Sequence, residues 1–244
     1  MIALSLWPQK GPPVPQTESS AINFSTSSRA DAAIAERRML DHKFYRDWMA
    51  GALTQETLTD YAEQYFHHVE AFPRAVSMTH ALCESRNGRR MLAENLAEEE
   101  GVEEGKTDHP ELWMQFAEGM GATRSGVKEA ALYPETTGLI DAFRRLSRRS
   151  YAAGLGALYA YESQIPDVAR SKIDGLRANY GVTDDRTLKF FTVHEVADEV
   201  HAEVCRQLLD ELDGENAEDA VAAARELSES LLGFLDGVER ARVA

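Results

Sequence analysis

The sequence predicts an all-α fold, a bundle of about eight helices, and three observations carry that prediction. From Asp31 onward apolar residues recur at helical spacing almost without interruption. Alternating strand patterns are absent. The segment Tyr151 to Tyr161 carries no charged residue, and a helix uncharged on every face is a buried one.

The elements follow in chain order. Residues 1–28 hold Pro8, Pro12, Pro13 and Pro15 and a Ser/Thr-rich run, without periodicity, so a disordered or surface-draped arm is expected there. Residues 29–244 are expected to form one domain. Residues 31–50 read as a first helix ended by Gly51. Thr54 reads as the N-cap of a second, which Pro73 should kink or restart. Asn87-Gly88 marks a turn. Helices follow from Arg89 to about Glu100, from His109-Pro110 to Gly119 or Gly121, and over 136–165 as one long or two abutting pieces. Pro166 starts another that ends at Asn179-Tyr180-Gly181. Phe190–Leu209 and Ala217–Arg242 complete the set.

Composition narrows the classes of function. The chain has 244 residues and a formal net charge of −15, with 41 acidic against 26 basic side chains. That balance disfavours nucleic acid and anionic membrane surfaces as partners. No apolar run reaches the roughly 20 residues of a membrane span, and Ile2 to Trp7 is too short for a signal peptide. Cys83 and Cys205 suggest small core residues in a reducing compartment, so a cytoplasmic location is expected.

The segment Phe190–Leu209 holds the chemistry. His194, Asp198 and His201 stand at i, i+4 and i+7 and fall within about 60° of one another on a helix. Phe190, Phe191, Cys205, Leu208 and Leu209 extend that arc, and Val193, Ala197, Val200 and Val204 form a second apolar stripe. Glu195, Glu199, Glu203 and Arg206 take the wet face. Two imidazoles and a carboxylate aimed into an apolar interior cost several kcal/mol unless partnered. A metal ion partners all three; a His–Asp hydrogen-bond network is the alternative.

Further donors lie elsewhere. Glu162 closes the uncharged segment, at a helix C-terminus where a carboxylate is misplaced. One of Glu98, Glu99 and Glu100 can turn inward, with Glu99 closest to the apolar face set by Met91, Leu92 and Leu96. His109 starts the next helix. Three carboxylates and three imidazoles match a carboxylate-bridged two-metal site in a helix bundle. His67, His68 and His80 compete for the same roles, and one of the adjacent pair can enter the pocket.

These residues carry a resemblance. Leu40-Asp41-His42-Lys43-Phe44-Tyr45 with Trp48, Tyr61-Ala62 with Tyr65 and His68, and Glu98-Glu99-Glu100 with His109-Pro110-Glu111-Leu112-Trp113 belong to it. So do Tyr159 with Tyr161-Glu162-Ser163-Gln164-Ile165-Pro166, and His194-Glu195 with Ala197-Asp198 and His201-Ala202. The chain resembles the CADD-like proteins (Chlamydia protein associating with death domains). They are haem-oxygenase-like dimetal oxidases related to the TenA and PqqC groups. The likeness covers roughly residues 30 to 238.

The resemblance implies a haem-oxygenase-like bundle without haem. It implies Glu99, His109, Glu162, His194, Asp198 and His201 as ligands of two metal ions, iron with iron or iron with manganese. The implied activity is oxygen-dependent synthesis of 4-aminobenzoate, a folate precursor, with an external reductant. Tyr45 matches a tyrosine that the family consumes, and Lys172 a lysine that supplies nitrogen. By their own sequence context both read as ordinary residues, a core aromatic and a solvated lysine. The loop between Glu99 and His109 departs from the pattern: it carries extra acids, Glu103 and Glu104, and looks longer than usual. A homodimer is expected, because related bundles commonly pair.

Two rival readings compete. A cofactorless or thiamin-type enzyme would use Cys205 as nucleophile. A death-domain-binding interaction protein would leave the buried donors unexplained, and no host-partner patch is evident in the sequence. A dimetal oxygenase acting on an external small molecule is the alternative within the same chemistry.

Overall fold

The computed structural model describes residues 24–243, and every regular element among them is helical. Helix α1 (Thr26–Ala35) is capped by Ser25, whose side chain accepts from the Ser28 amide. It begins inside the stretch expected as an arm; residues 1–23 of that expectation lie outside the described residues. The single helix expected over 31–50 is divided. After α1 come a 3-10 turn, Met39–Asp41, and α2 (Lys43–Met49). His42 makes the break: its backbone is extended, and its Nδ1 accepts from the Phe44 amide at 3.2 Å.

Helix α3 (Gln55–Leu82) is capped by Thr54, as expected, but runs through Pro73 without ending. Burial of Phe72, Pro73 and Val76 outweighs the one backbone bond that proline removes. Helix α4 (Arg86–Glu99) starts ahead of the expected turn. Ser85 caps it by accepting from the Gly88 amide at 3.2 Å, which draws Asn87-Gly88 into the first helical turn. Next come α5 (His109–Gly119), the short unforeseen α6 (Arg124–Glu129), α7 (Pro134–Arg149) and α8 (Tyr151–Glu162). The α7–α8 boundary is Ser150, extended and capping Ala153. Then follow α9 (Ile165–Asn179), α10 (Asp185–Asp210) and α11 (Gly214–Arg242). Helix α10 starts five residues before Phe190 because Asp184 caps it at Thr187.

Helix α8 is the axis of the bundle. All its residues from Ala152 to Glu162 are buried, and α3, α7, α10 and α11 pack around it. Small residues make this possible. A Cβ on Gly156 would lie 2.1 Å from the Ala220 carbonyl oxygen, so α8 and α11 meet backbone to backbone. One apolar core runs from Ala30 to Val238. Helix α10 lies against α5, α8 and α9, which turns His194, Asp198 and His201 inward. The second stripe expected on α10 is only partly covered: Val200 is 60% exposed. Among the described residues no helix is long and apolar enough to cross a membrane.

Candidate metal centre

Four helices carry the six expected donors into the interior. Glu99 is the last residue of α4 and is buried, whereas Glu98 is half-buried and Glu100 exposed, so the inward member of the acidic triplet is Glu99. His109 is the first residue of α5, set by the Asp108 cap on Glu111. Glu162 ends α8. His194, Asp198 and His201 descend α10. All six are 6% exposed or less.

Three of the six converge tightly, and among the described residues they form the one group of three close enough to share an ion. Ligand atoms of Glu99, His109 and His194 lie within 4.8 Å of one another. His109 Nδ1 stands 2.8 Å from Glu99 Oε2, without hydrogen-bonding geometry, and the rings of His109 and His194 are 4.3 Å apart. His194 Nδ1 is 2.7 Å from the Phe190 carbonyl. A carbonyl only accepts, so Nδ1 carries the proton and Nε2 keeps its lone pair. The other three are not drawn into such a group: His201 Nδ1 is 3.4 Å from Asp198 Oδ1. Glu162 accepts from Asn95 Nδ2 at 2.6 Å and from Cys205 Sγ at 3.2 Å.

Burial governs the protonation of the site. It pushes the Glu99 carboxyl up to about 8, although His201 pulls the other way. It raises Glu162 and Asp198 as well, against the pull of neighbouring histidines. It holds the His109 and His194 rings down to about 4, against the charge of Asp198. Burial also disfavours charge on His201, but Asp198 and Glu162 outweigh it and lift that ring to about 9. His109 Nδ1, His201 Nδ1 and Asp198 Oδ2 have no hydrogen-bond partner. Orphaned buried donor atoms normally cost about 1–3 kcal/mol each. Oxygen and imidazole donors that converge and lack partners fit divalent iron or manganese.

Beside the donors lies an aromatic chamber. Lys172, on α9, is 2% exposed. Its Nζ bonds the Tyr61 hydroxyl and lies 4.7 Å from that ring's centroid, 5.2 Å from Tyr65 and Trp113, and 5.7 Å from Tyr45. The Tyr65 and Tyr161 hydroxyls bond at 2.9 Å. The expectation of a solvated Lys172 from its sequence context is therefore wrong: α9 packs against α10 and α2, and the amine reaches inward to Tyr61 on α3. Asn95 and the chamber tyrosines Tyr61, Tyr65 and Tyr161 were not foreseen as parts of the site.

The competing histidines stand apart. His67 Nε2 meets the Val127 carbonyl at 2.9 Å. His68 is buried but stacks on Phe143, with both ring nitrogens unpaired and its ring held to about 3 by burial. His80 lies in the last turn of α3. Burial keeps the Cys205 thiol protonated, and the nearby Glu162 adds to the effect, so it acts as a donor to Glu162 rather than a nucleophile.

A haem-oxygenase-like helical bundle whose interior carries clustered carboxylates and imidazoles defines the class. The chain belongs to the family described as iron-containing redox enzymes, whose model matches residues 59–232. A relative from Chlamydia trachomatis named 4-aminobenzoate synthase is 38% identical over 207 residues, covering 84% of this chain and 88% of its own. One of the same name from Nitrosomonas europaea is 36% identical over 222 residues, covering 86% and 89%. Among solved structures, a CADD-like protein of Nostoc punctiforme superposes with a TM-score of 0.75 at 17% identity, covering 90% of this chain and 97% of its own. A TenA homologue of Pseudomonas syringae gives 0.72 at 17%, covering 96% and 99%. Those two likenesses establish the fold.

Proposed function

We propose that this chain makes 4-aminobenzoate in an oxygen-dependent reaction, drawing the ring from its own Tyr45 and the nitrogen from its own Lys172. In this reading Glu99, His109, Glu162, His194, Asp198 and His201 hold two metal ions, iron with iron or iron with manganese. When bound, that pair supplies the one-electron chemistry through which triplet dioxygen reacts with a closed-shell phenol. Dioxygen and an external reductant are the co-substrates.

The observation that carries the proposal is the state of Lys172. Six aromatic rings stand within 5.8 Å of its Nζ. Such rings favour an ammonium by about 2 kcal/mol when desolvated. Complete burial disfavours it by more, up to 3–5 pKa units. No carboxylate offsets that burial, which pushes the amine well below the ordinary lysine range. A neutral amine keeps the lone pair that attack on an oxidised ring needs. Tyr45 lies beside it, its phenol kept protonated by burial although the neighbouring Tyr61 opposes the shift.

The space available also supports an internal substrate. Lys172, Tyr65, Tyr161 and His194 border a cavity of about 10 Å³. That is room for about one water-sized molecule. Pockets that receive external small molecules typically exceed about 300 Å³. The chamber suits dioxygen and leaves no place for a second aromatic ring.

The test supplies metal, dioxygen and a reductant to protein carrying ring-labelled tyrosine. Labelled 4-aminobenzoate is expected from the wild type. Tyr45→Phe and Lys172→Arg should each abolish it while keeping their metals. Full production by either variant would transfer that residue's role to an external substrate.

A further inference from the structure

A cleft of about 330 Å³ opens at the surface between α4, the loop that follows it and α10. Its floor is formed by two buried side chains, Asn95, whose Oδ1 is unpaired, and His201, whose unpaired Nδ1 looks inward to Asp198. Both also touch the buried centre. Asn95 holds Glu162, and His201 adjoins Asp198. Glu98 stands on the cleft wall, with a side chain 32% exposed and its Oε2 3.2 Å from His201 Nε2. The mouth is acidic: Glu94, Glu98 and Glu103 line it against the one amine of Lys106. A second cleft of similar size, between α3, α4 and α7, is lined instead by Arg74, Arg144 and Arg148 and touches none of the six donors.

We propose that the acidic cleft is the port through which divalent cations reach the buried centre, with Glu98 as the transit ligand that passes each ion to His201. The inference rests on reading the six residues as a metal centre. An incoming cation is drawn by the field of three carboxylates, focused by the cleft walls. It must exchange water for protein oxygen and nitrogen before it enters an apolar interior. Glu98 offers the first oxygen while still in contact with solvent. His201, touching Glu98 on one side and Asp198 on the other, offers the next donor. Glu98 then stays outside, because Glu99 occupies the corresponding place within the centre.

The test follows cobalt(II) uptake by the metal-free full chain, using visible absorption for the rate and elemental analysis for the final content. Stoichiometric uptake by the wild type examines the metal centre itself, separately from the port. Glu98→Gln is expected to slow uptake about tenfold at low ionic strength, within the range that focused charge gives to association rates, and to reach the wild-type cobalt content. Val200→Trp, at an exposed position on the cleft rim, is expected to slow uptake without changing any charge. Glu100→Gln, facing the other cleft, is expected to match the wild type. Wild-type rates in Glu98→Gln would overturn the port. So would equal slowing in Glu100→Gln, which would indicate overall charge. A lower final cobalt content in Glu98→Gln would make Glu98 a resident ligand and overturn its transit role.

Discussion

Cys205 donates its thiol to Glu162 Oε2 across 3.2 Å, while Asn95 holds Oε1 at 2.6 Å. The carboxylate at the end of α8 is therefore fixed by one residue from α10 and one from α4. Groups that orient a metal-binding carboxylate typically contribute about 10–100-fold to metal affinity. Asn95→Leu is expected to weaken metal binding by that factor while the fold persists, measured by competition against a chelator. Cys205→Ser, which keeps a donor, should stay near the wild type. An unaltered affinity in Asn95→Leu would mean that Glu162 needs no such holder.

The protonation of the site makes metal binding pH-dependent in a defined sense. In the metal-free fold Glu99 keeps its proton up to about 8 and His201 up to about 9. As proposed ligands, both would have to give it up to bind a metal. His109 and His194, held near 4, are already neutral at pH 7 and release nothing. Binding at pH 7 is therefore expected to expel protons, and affinity should climb as pH rises through 8 and 9 before levelling. Calorimetry in two buffers of different ionisation enthalpy measures the release. A proton count of zero at pH 7 would contradict the assignment of Glu99 and His201.

Much of this was legible in the residues, and the remainder was hidden for physical reasons. The spacing of His194, Asp198 and His201 needs only helical geometry, and the uncharged α8 announces its own burial. The helix breaks were harder. His42 caps α2 with a ring nitrogen, and Ser85 overrode the Asn87-Gly88 turn signal. The choice of Glu99 from three adjacent acids depends on how α4 sits against α3 and α10. The Lys172 chamber brings Tyr61 to Lys172 across 111 residues of chain, a pairing that no local pattern encodes.

Two histidine substitutions separate donor from packing. His194→Ala removes an imidazole whose Nδ1 proton is committed to the Phe190 carbonyl, which leaves the Nε2 lone pair free. It is expected to cost at least one metal equivalent by elemental analysis. His68→Phe removes a ring with two unpaired nitrogens from an aromatic niche formed by Tyr65, Phe72, Phe143 and Tyr161. Relief of an unsatisfied buried group is worth about 1–3 kcal/mol, so this variant should hold its metals and unfold at higher urea. Full metal content in His194→Ala would reject that donor. Metal loss in His68→Phe would make His68 part of the centre.

The last prediction concerns the charge on Lys172. Burial lowers the folded-state pKa of its amine well below the ordinary 10.5, with no carboxylate to oppose it. Between that lowered value and 10.5 the unfolded chain binds a proton there and the folded chain does not. Stability then rises with pH, by about 1.4 kcal/mol per unit for this one group. Lys172→Met deletes the group and leaves the other titrations in place. The wild type should therefore be at its greatest disadvantage relative to Lys172→Met near neutral pH and recover as the pH approaches 10. Urea unfolding of both metal-free proteins at pH 7, 8.5 and 10 reads the difference directly, and the common titrations cancel between them. A gap that stays constant with pH would mean the amine is charged inside the fold. Lys172 would then lack the lone pair on which its role as nitrogen donor depends.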